Sequence, residues 1–225
     1  MKKSKIVIAI SLAILILAII GVGLKFFIFK PEEKLKTSPN FIKNVSEEKR
    51  AEFEARKVKQ LEYIKEYPDY YEAYLDLGNI EQELSNYQQA LKYYDKASSI
   101  IPSSSIPILN KASLYIETNN LDKAYKEFWN AQKASPDYYL VYQKIIDFYQ
   151  LYLKDRINEI DSVYRMGLNN TKNDPDLLRS YGSYLMKNNR LADSQQVWET
   201  FLSVYPSDQY VLKKLDEVNK LMGLK

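Results

Sequence analysis

Residues 71–104 read YEAYLDLGNIEQELSNYQQALKYYDKASSIIPSS, and residues 105–138 read SIPILNKASLYIETNNLDKAYKEFWNAQKASPDY. Laid one above the other, Ala90 falls on Ala124, Ala97 on Ala131, Tyr94 on Phe128, Tyr87 on Leu121 and Pro102 on Pro136, and Pro68 lies 34 residues before Pro102. Agreement at this many positions marks a repeat architecture. Within each unit the apolar residues recur every three or four positions, which predicts two helices. Gly78, Ala112, Ala90 and Ala124 are small enough to let the helices approach, while Tyr74, Leu77, Tyr94 and Phe128 fill the space between them. Asn86 and the pair Asn119–Asn120 are expected to make the turns, where left-handed or capping conformations are needed. Proline, which cannot continue a helix, begins each link to the next unit.

The order Tyr74, Leu77, Gly78, Ala90, Tyr94, Ala97, Pro102 resembles the tetratricopeptide repeat, whose pattern W-x2-L-G-x2-Y continues with A, F, A and P at set offsets. Ile108, Ala112, Tyr115, Ala124, Phe128, Ala131 and Pro136 repeat it. Tyr74 takes the Trp place, Glu81 departs at the later aromatic place, and Lys111 stands where Leu is usual. A third unit, 139–174, is irregular. Tyr142, Ile145, Ile146 and Tyr149 fit a first helix, no Asn or Gly marks the turn, and Leu151 to Arg156 read as an extension. Ile160, Tyr164 and Gly167 then fit a second helix displaced by two residues. A fourth unit, 175–206, recovers the pattern with Leu178, Tyr181, Gly182, Leu185, Leu191, Ser194, Trp198, Phe201 and Pro206. The resemblance covers about 68–221 and implies an all-α, right-handed superhelical solenoid of about four helix pairs. It implies a groove lined by the first helix of each pair, and a protein-binding scaffold without chemistry of its own.

Both flanks of the array read as helical. A flanking helix over 46–67 starts at Ser46, with Glu47 and Glu48 complementing its dipole and Phe53, Leu61 and Ile64 as a narrow apolar stripe. A C-terminal capping helix over 207–225 carries Val211, Leu212, Leu215, Val218, Leu221 and Met222 on one side, as a solenoid end requires. Residues 30–45, broken by Pro31 and Pro39 and otherwise mostly polar, read as a linker.

The N-terminus has a different character. Ile6 to Leu24 are uncharged and almost wholly aliphatic, and Phe26, Phe27 and Phe29 extend the run. At ~1.5 Å per residue such a helix matches the ~30 Å hydrocarbon core of a bilayer. A cleavable signal peptide would have a shorter apolar core and a small-residue cleavage site, so 6–29 reads as an uncleaved transmembrane helix. Lys2, Lys3 and Lys5 in the basic tail 1–5 favour a cytoplasmic N-terminus and an extracytoplasmic body, in a prokaryotic membrane. Lys30, Lys34, Lys36 and Lys43 beyond the span argue for the reverse. The chain carries 32 basic and 29 acidic residues; five lysines and no acid lie in residues 1–30, so the remainder is slightly acidic. That balance argues against nucleic acid as a partner.

The chain has no His and no Cys. This removes imidazole bases, thiol nucleophiles, disulfides and N/S zinc sites. Acidic neighbours such as Asp216–Glu217 point apart on a helix and make poor acid–base pairs. No Gly-rich phosphate loop occurs, so neither an enzyme nor a cofactor is expected.

The resemblance places the candidate binding residues along the first helices. They are Glu72, Leu75, Asn79 and Gln82 in the first unit, and Leu109, Asn110, Ser113 and Ile116 in the second. The third unit supplies Gln143, Lys144 and Asp147, and the fourth Arg179 and Ser183. Asn79, Asn110 and Lys144 stand at three of the five places of the carboxylate clamp found in some family members. Leu75 and Leu140 hold the other two, where Lys is needed to neutralise a carboxylate. A groove for an extended or helical protein segment fits better. The expected partners are therefore other proteins or peptide segments through the groove and the membrane through 6–29. The expected role is a scaffold in assembly, secretion or the envelope, with a cytosol-facing receptor for precursors or chaperones as the alternative, and homo-oligomer formation as a further reading. Most of the 20 tyrosines are expected to be packing residues.

Overall fold

The computed structural model describes residues 35–224 except Ile42, and of Asn40 the backbone alone. The basic tail, the expected membrane span over 6–29 and the first part of the linker lie outside the described residues. Among the described residues no helix is long and apolar enough to cross a membrane.

Among the described residues ten α-helices follow one another: α1 (Glu47–Glu66), α2 (Tyr71–Glu83), α3 (Tyr87–Ile100), α4 (Ile106–Glu117), α5 (Leu121–Ala134), α6 (Tyr139–Tyr152), α7 (Ile160–Asn170), α8 (Pro175–Lys187), α9 (Leu191–Val204) and α10 (Gln209–Leu221). Each helix packs on the next, and the first helices also meet across units, α2 with α4 and α6 with α8. Side-chain caps start three of them. Ser46 accepts from Lys49 N, Asp174 from Asp176 N and Leu177 N, and Asp208 from Val211 N.

The turns inside units one, two and four share one geometry. The backbone N–H of Asn86 donates to Glu81 O, that of Asn120 to Tyr115 O and that of Arg190 to Leu185 O, each at 2.7–2.9 Å. The residue before each donor, Ser85, Asn119 or Asn189, has φ near +60°. Ser85, rather than Asn86, takes the left-handed place in the first unit. Asn86 sits one residue on and donates its amide to Glu81 Oε2 at 2.7 Å. The third unit lacks this turn. Lys154–Glu159 form a 3-10 stretch instead, and α7 starts at Ile160.

Close packing explains two of the glycines. A Cβ at Gly78 would lie 2.4 Å from the Tyr94 ring, and one at Gly182 would lie 2.7 Å from Trp198. Two departures from the repeat pattern have partners. Glu81 is buried and meets Lys57 of α1 at 2.7 Å, which ties the flanking helix to the first unit. Lys111 pairs with Asp95 at 2.9 Å and Glu127 at 3.4 Å. The irregular third unit is tied to the fourth by Asp161, which accepts from Tyr181 Oη and Arg190, both at 2.6 Å.

The core runs through the array. One cluster joins Ala112, Phe128, Ile145, Tyr149, Tyr164, Leu177 and Leu185; another joins Leu178, Trp198, Phe201, Val211 and Val218. Phe53, Ile80 and Leu84 form a third at the N-terminal end. The apolar stripes of the flanking helices are narrower than the sequence suggests. Leu61 of α1 and Leu212 and Leu221 of α10 are exposed, because among the described residues each helix has an array neighbour on one side only. Tyr94, Tyr149, Tyr164 and Tyr181 are buried, whereas Tyr74 and Tyr115 are half-buried.

Candidate functional site

The first helices of the second and third units, α4 and α6, stand apart and leave a cavity of ≈ 440 Å³ between them. Ile106, Leu109, Ile116, Leu140, Phe148 and Leu151 supply apolar wall, and Asn110, Ser113, Glu117, Lys144 and Asp147 supply the polar groups. Six of the sequence-predicted residues thus meet at one place: Leu109, Asn110, Ser113, Ile116, Lys144 and Asp147.

Beside this cavity runs a hydrogen-bonded line that crosses from the first unit to the second. The Tyr94 ring lies against Gly78, and the missing Cβ lets its hydroxyl reach the first-helix face. There it stands 2.8 Å from Gln82 Oε1 and 2.9 Å from Asn79 Oδ1. The Asn110 amide donates to the same Asn79 oxygen at 2.9 Å. Gln82 is buried and donates to Glu117 Oε1 at 2.7 Å.

The Gln82 amide cannot turn, because its oxygen would then face the Glu117 carboxylate, so it accepts from the Tyr94 hydroxyl and donates to Glu117. Burial, and then the charges of Glu117 and Glu83, push the Tyr94 pKa far above the ordinary tyrosine value, so its hydroxyl stays a donor.

A second line lies further along. Ser180 Oγ donates to Gln143 Oε1 at 2.7 Å, Tyr164 Oη is 2.7 Å from Ser180 Oγ, and Gln143 Nε2 donates to Asp147 Oδ1 at 2.8 Å. Arg179 and Ser183 belong elsewhere. Arg179 pairs with Asp208, stacks 4.8 Å over the Phe201 ring and lies 3.3 Å from Asp176. Ser183 approaches Tyr210 at 3.5 Å. Both therefore contact groups of the terminal helix and its cap. Glu72 is exposed on the first turn of α2 and Leu75 is half-buried; neither lines the cavity.

The sequence pattern makes residues 30–45 a linker alone, yet their last part lies on this face. Ser38 N donates to Glu117 O at 2.8 Å, and Thr37 Oγ1 is 3.1 Å from Tyr87 Oη. Phe41, held in a 3-10 turn over Pro39–Phe41, forms one wall of the cavity. Lys43 Nζ lies 3.0 Å from Glu117 Oε2 and 3.2 Å from Glu83 Oε1, and donates to Gln82 O at 3.4 Å. Burial works against the Lys43 ammonium, but hydrogen bonds and charge from Glu117 and then Glu83 outweigh it and raise its pKa. An aromatic at Phe41 within a polar stretch was the available signal.

Comparison with known proteins then bears on the fold. Residues 71–104 match the family model of the tetratricopeptide repeat. The chain carries a tetratricopeptide repeat. Solved structures are similar to about three quarters of this chain. The Pseudomonas aeruginosa pilF structure is 16% identical, with a TM-score of 0.52 over 77% of this chain and 78% of that one. TTC0263, a thermophilic protein of this repeat class in Thermus thermophilus, is 16% identical over 75% of this chain and 91% of its own, with a TM-score of 0.47. YrrB, described as having an unusual peptide-binding site, is 14% identical over 73% of this chain and 84% of its own, with a TM-score of 0.45. At such identities the likeness concerns the fold alone. No curated protein matches the sequence.

Proposed function

We propose that this chain is a membrane-anchored tetratricopeptide scaffold that holds an extended protein segment on the face built from α2, α4 and α6. The observation that carries the reading is the cavity between α4 and α6, with aliphatic walls and Asn110, Ser113, Lys144 and Asp147 among its polar groups. Amides can bond the backbone of an extended segment while the aliphatic walls take its side chains. The anchor rests on residues 6–29, and tethering confines groove and partner to one surface, so modest contacts suffice. The body works outside the cytoplasm of a prokaryote, in assembly, secretion or the envelope.

A photoreactive residue at Ser113, exposed in the cavity, tests the groove in intact cells. Capture of a defined protein from Ser113, and not from a probe at exposed Glu199 on α9, is the expected result. Equal capture from both positions contradicts the reading. The lysines at 30, 34, 36 and 43 favour a second reading, a cytosol-facing receptor. Protease added to sealed vesicles with the cytoplasmic side outward decides between them: a protected body supports the first reading, a digested one the second.

A further inference from the structure

The docked linker shows what chemistry this face accepts. Glu117 is 9% exposed and points into the first-helix face, where one oxygen takes Gln82 Nε2 and the other lies 3.0 Å from Lys43. A carboxylate this deep is costly without a cation. The cation comes from outside the repeat array, on a linker whose Phe41 walls the cavity and whose Ser38 N–H caps the carbonyl of Glu117. Beside Phe41 the cavity holds ≈ 440 Å³.

We propose that residues 36–43 are a resident ligand of this groove, and that the partner is an extended segment presenting an aromatic side chain followed two residues later by Lys or Arg, which displaces Phe41 and Lys43. The proposal rests on the reading of this face as a protein-binding groove. Exchange is balanced in charge, because the incoming cation takes over Glu117 as Lys43 leaves. A segment without the cation strands a buried carboxylate, and that penalty sets the selectivity. Because the resident segment is tethered, it competes at a high effective concentration, and the partner meets only the fraction of chains in which it has lifted.

The test uses the full-length chain in detergent and a fluorescent peptide of residues 36–45, KTSPNFIKNV. A chain carrying F41A and K43A should bind this peptide about tenfold or more tightly than the unaltered chain, read by anisotropy. The same peptide with K43A should lose that binding, as should the F41A/K43A chain carrying E117Q. Equal affinity of the two chains, undiminished binding of the K43A peptide, or no binding to either chain overturns the proposal. Should the altered chain not fold, hydrogen exchange on the unaltered chain serves instead. Saturating peptide should strip protection from the Ser38 amide, and binding that leaves Ser38 protected overturns the proposal. Capture through Ser113 in cells fails separately. A chain that captures a partner but shows no peptide exchange keeps the groove and loses the aromatic–cation rule. Peptide exchange without capture keeps the rule and loses the cellular role.

Discussion

The front and rear of the array each thread a second-helix tyrosine through to the first-helix face. In front, Tyr94 leads through Gln82 to Glu117; behind, Tyr164 leads through Ser180 and Gln143 to Asp147. Both lines donate in one direction, from hydroxyl to amide to carboxylate. They differ at the terminus. Glu117 is buried and takes a lysine from the linker, whereas Asp147 is half-buried at the cavity edge and is bonded to Gln143. The same device therefore yields a cation-demanding end in front and a solvated end behind.

The largest test of this contrast is at the glycines. Gly78→Ala forces a Cβ to within 2.4 Å of Tyr94 and should cost about 2 kcal/mol of unfolding free energy, the overpacking penalty less the gain in helix propensity. It should also displace the Tyr94 hydroxyl from Gln82. Gly182→Ala presses on Trp198 and should cost a similar amount while leaving the front line intact. Denaturant titration reads the first effect, and hydrogen exchange at Ser38 separates the two sites.

Next come the two carboxylates. Glu117→Ala leaves Gln82 Nε2 without its acceptor and removes the nearer carboxylate from Lys43, and should cost about 2 kcal/mol. Asp147→Ala should cost about 0.5 kcal/mol, because water replaces it. Equal costs would erase the distinction between the two ends. The hydroxyls follow. Tyr94→Phe removes contacts to two amides and should cost about 1.5 kcal/mol, against about 1 kcal/mol for Tyr164→Phe, both read from urea midpoints.

The smallest effect near neutrality concerns pH. Burial pushes Tyr164 up to about 12 and Tyr94 higher still. Groups whose pKa is raised by folding stabilise fully below the unfolded value of 10.0, and lose that contribution as pH climbs through the folded value. Thermal midpoints should therefore be flat below pH 10 in this respect and fall above it. Tyr94→Phe and Tyr164→Phe should each lessen the fall, by more for Tyr94. Phenolate absorbance during the same titration checks that these rings ionise only as the chain unfolds.

Much of this was legible in the sequence, because a repeat fixes local spacing. The all-α array follows from small residues facing large ones at a fixed interval, as at Gly78 with Tyr94 and Gly182 with Trp198. Other features escape that rule. Whether Ser85 or Asn86 takes the left-handed place depends on where the last helical hydrogen bond falls, which composition does not specify. Leu212 and Leu221 read as core residues, yet both are exposed among the described residues. Leu109, Asn110, Ser113, Ile116, Lys144 and Asp147, placed on one face through the family resemblance, do line one cavity. Arg179 and Ser183 could not be separated from them until α10 was in position. The docking of Phe41 and Lys43 joins residues far apart in the chain, and no periodicity encodes it.

Tyr94 is packed as a core ring and serves the groove as a donor, so one position answers to two selective demands. Drift at residue 94 would alter packing and recognition together, and a side chain larger than Gly at residue 78 would be admissible only with a smaller ring opposite. In related sequences these two positions are expected to change as a pair, so the front of the groove evolves in coupled steps.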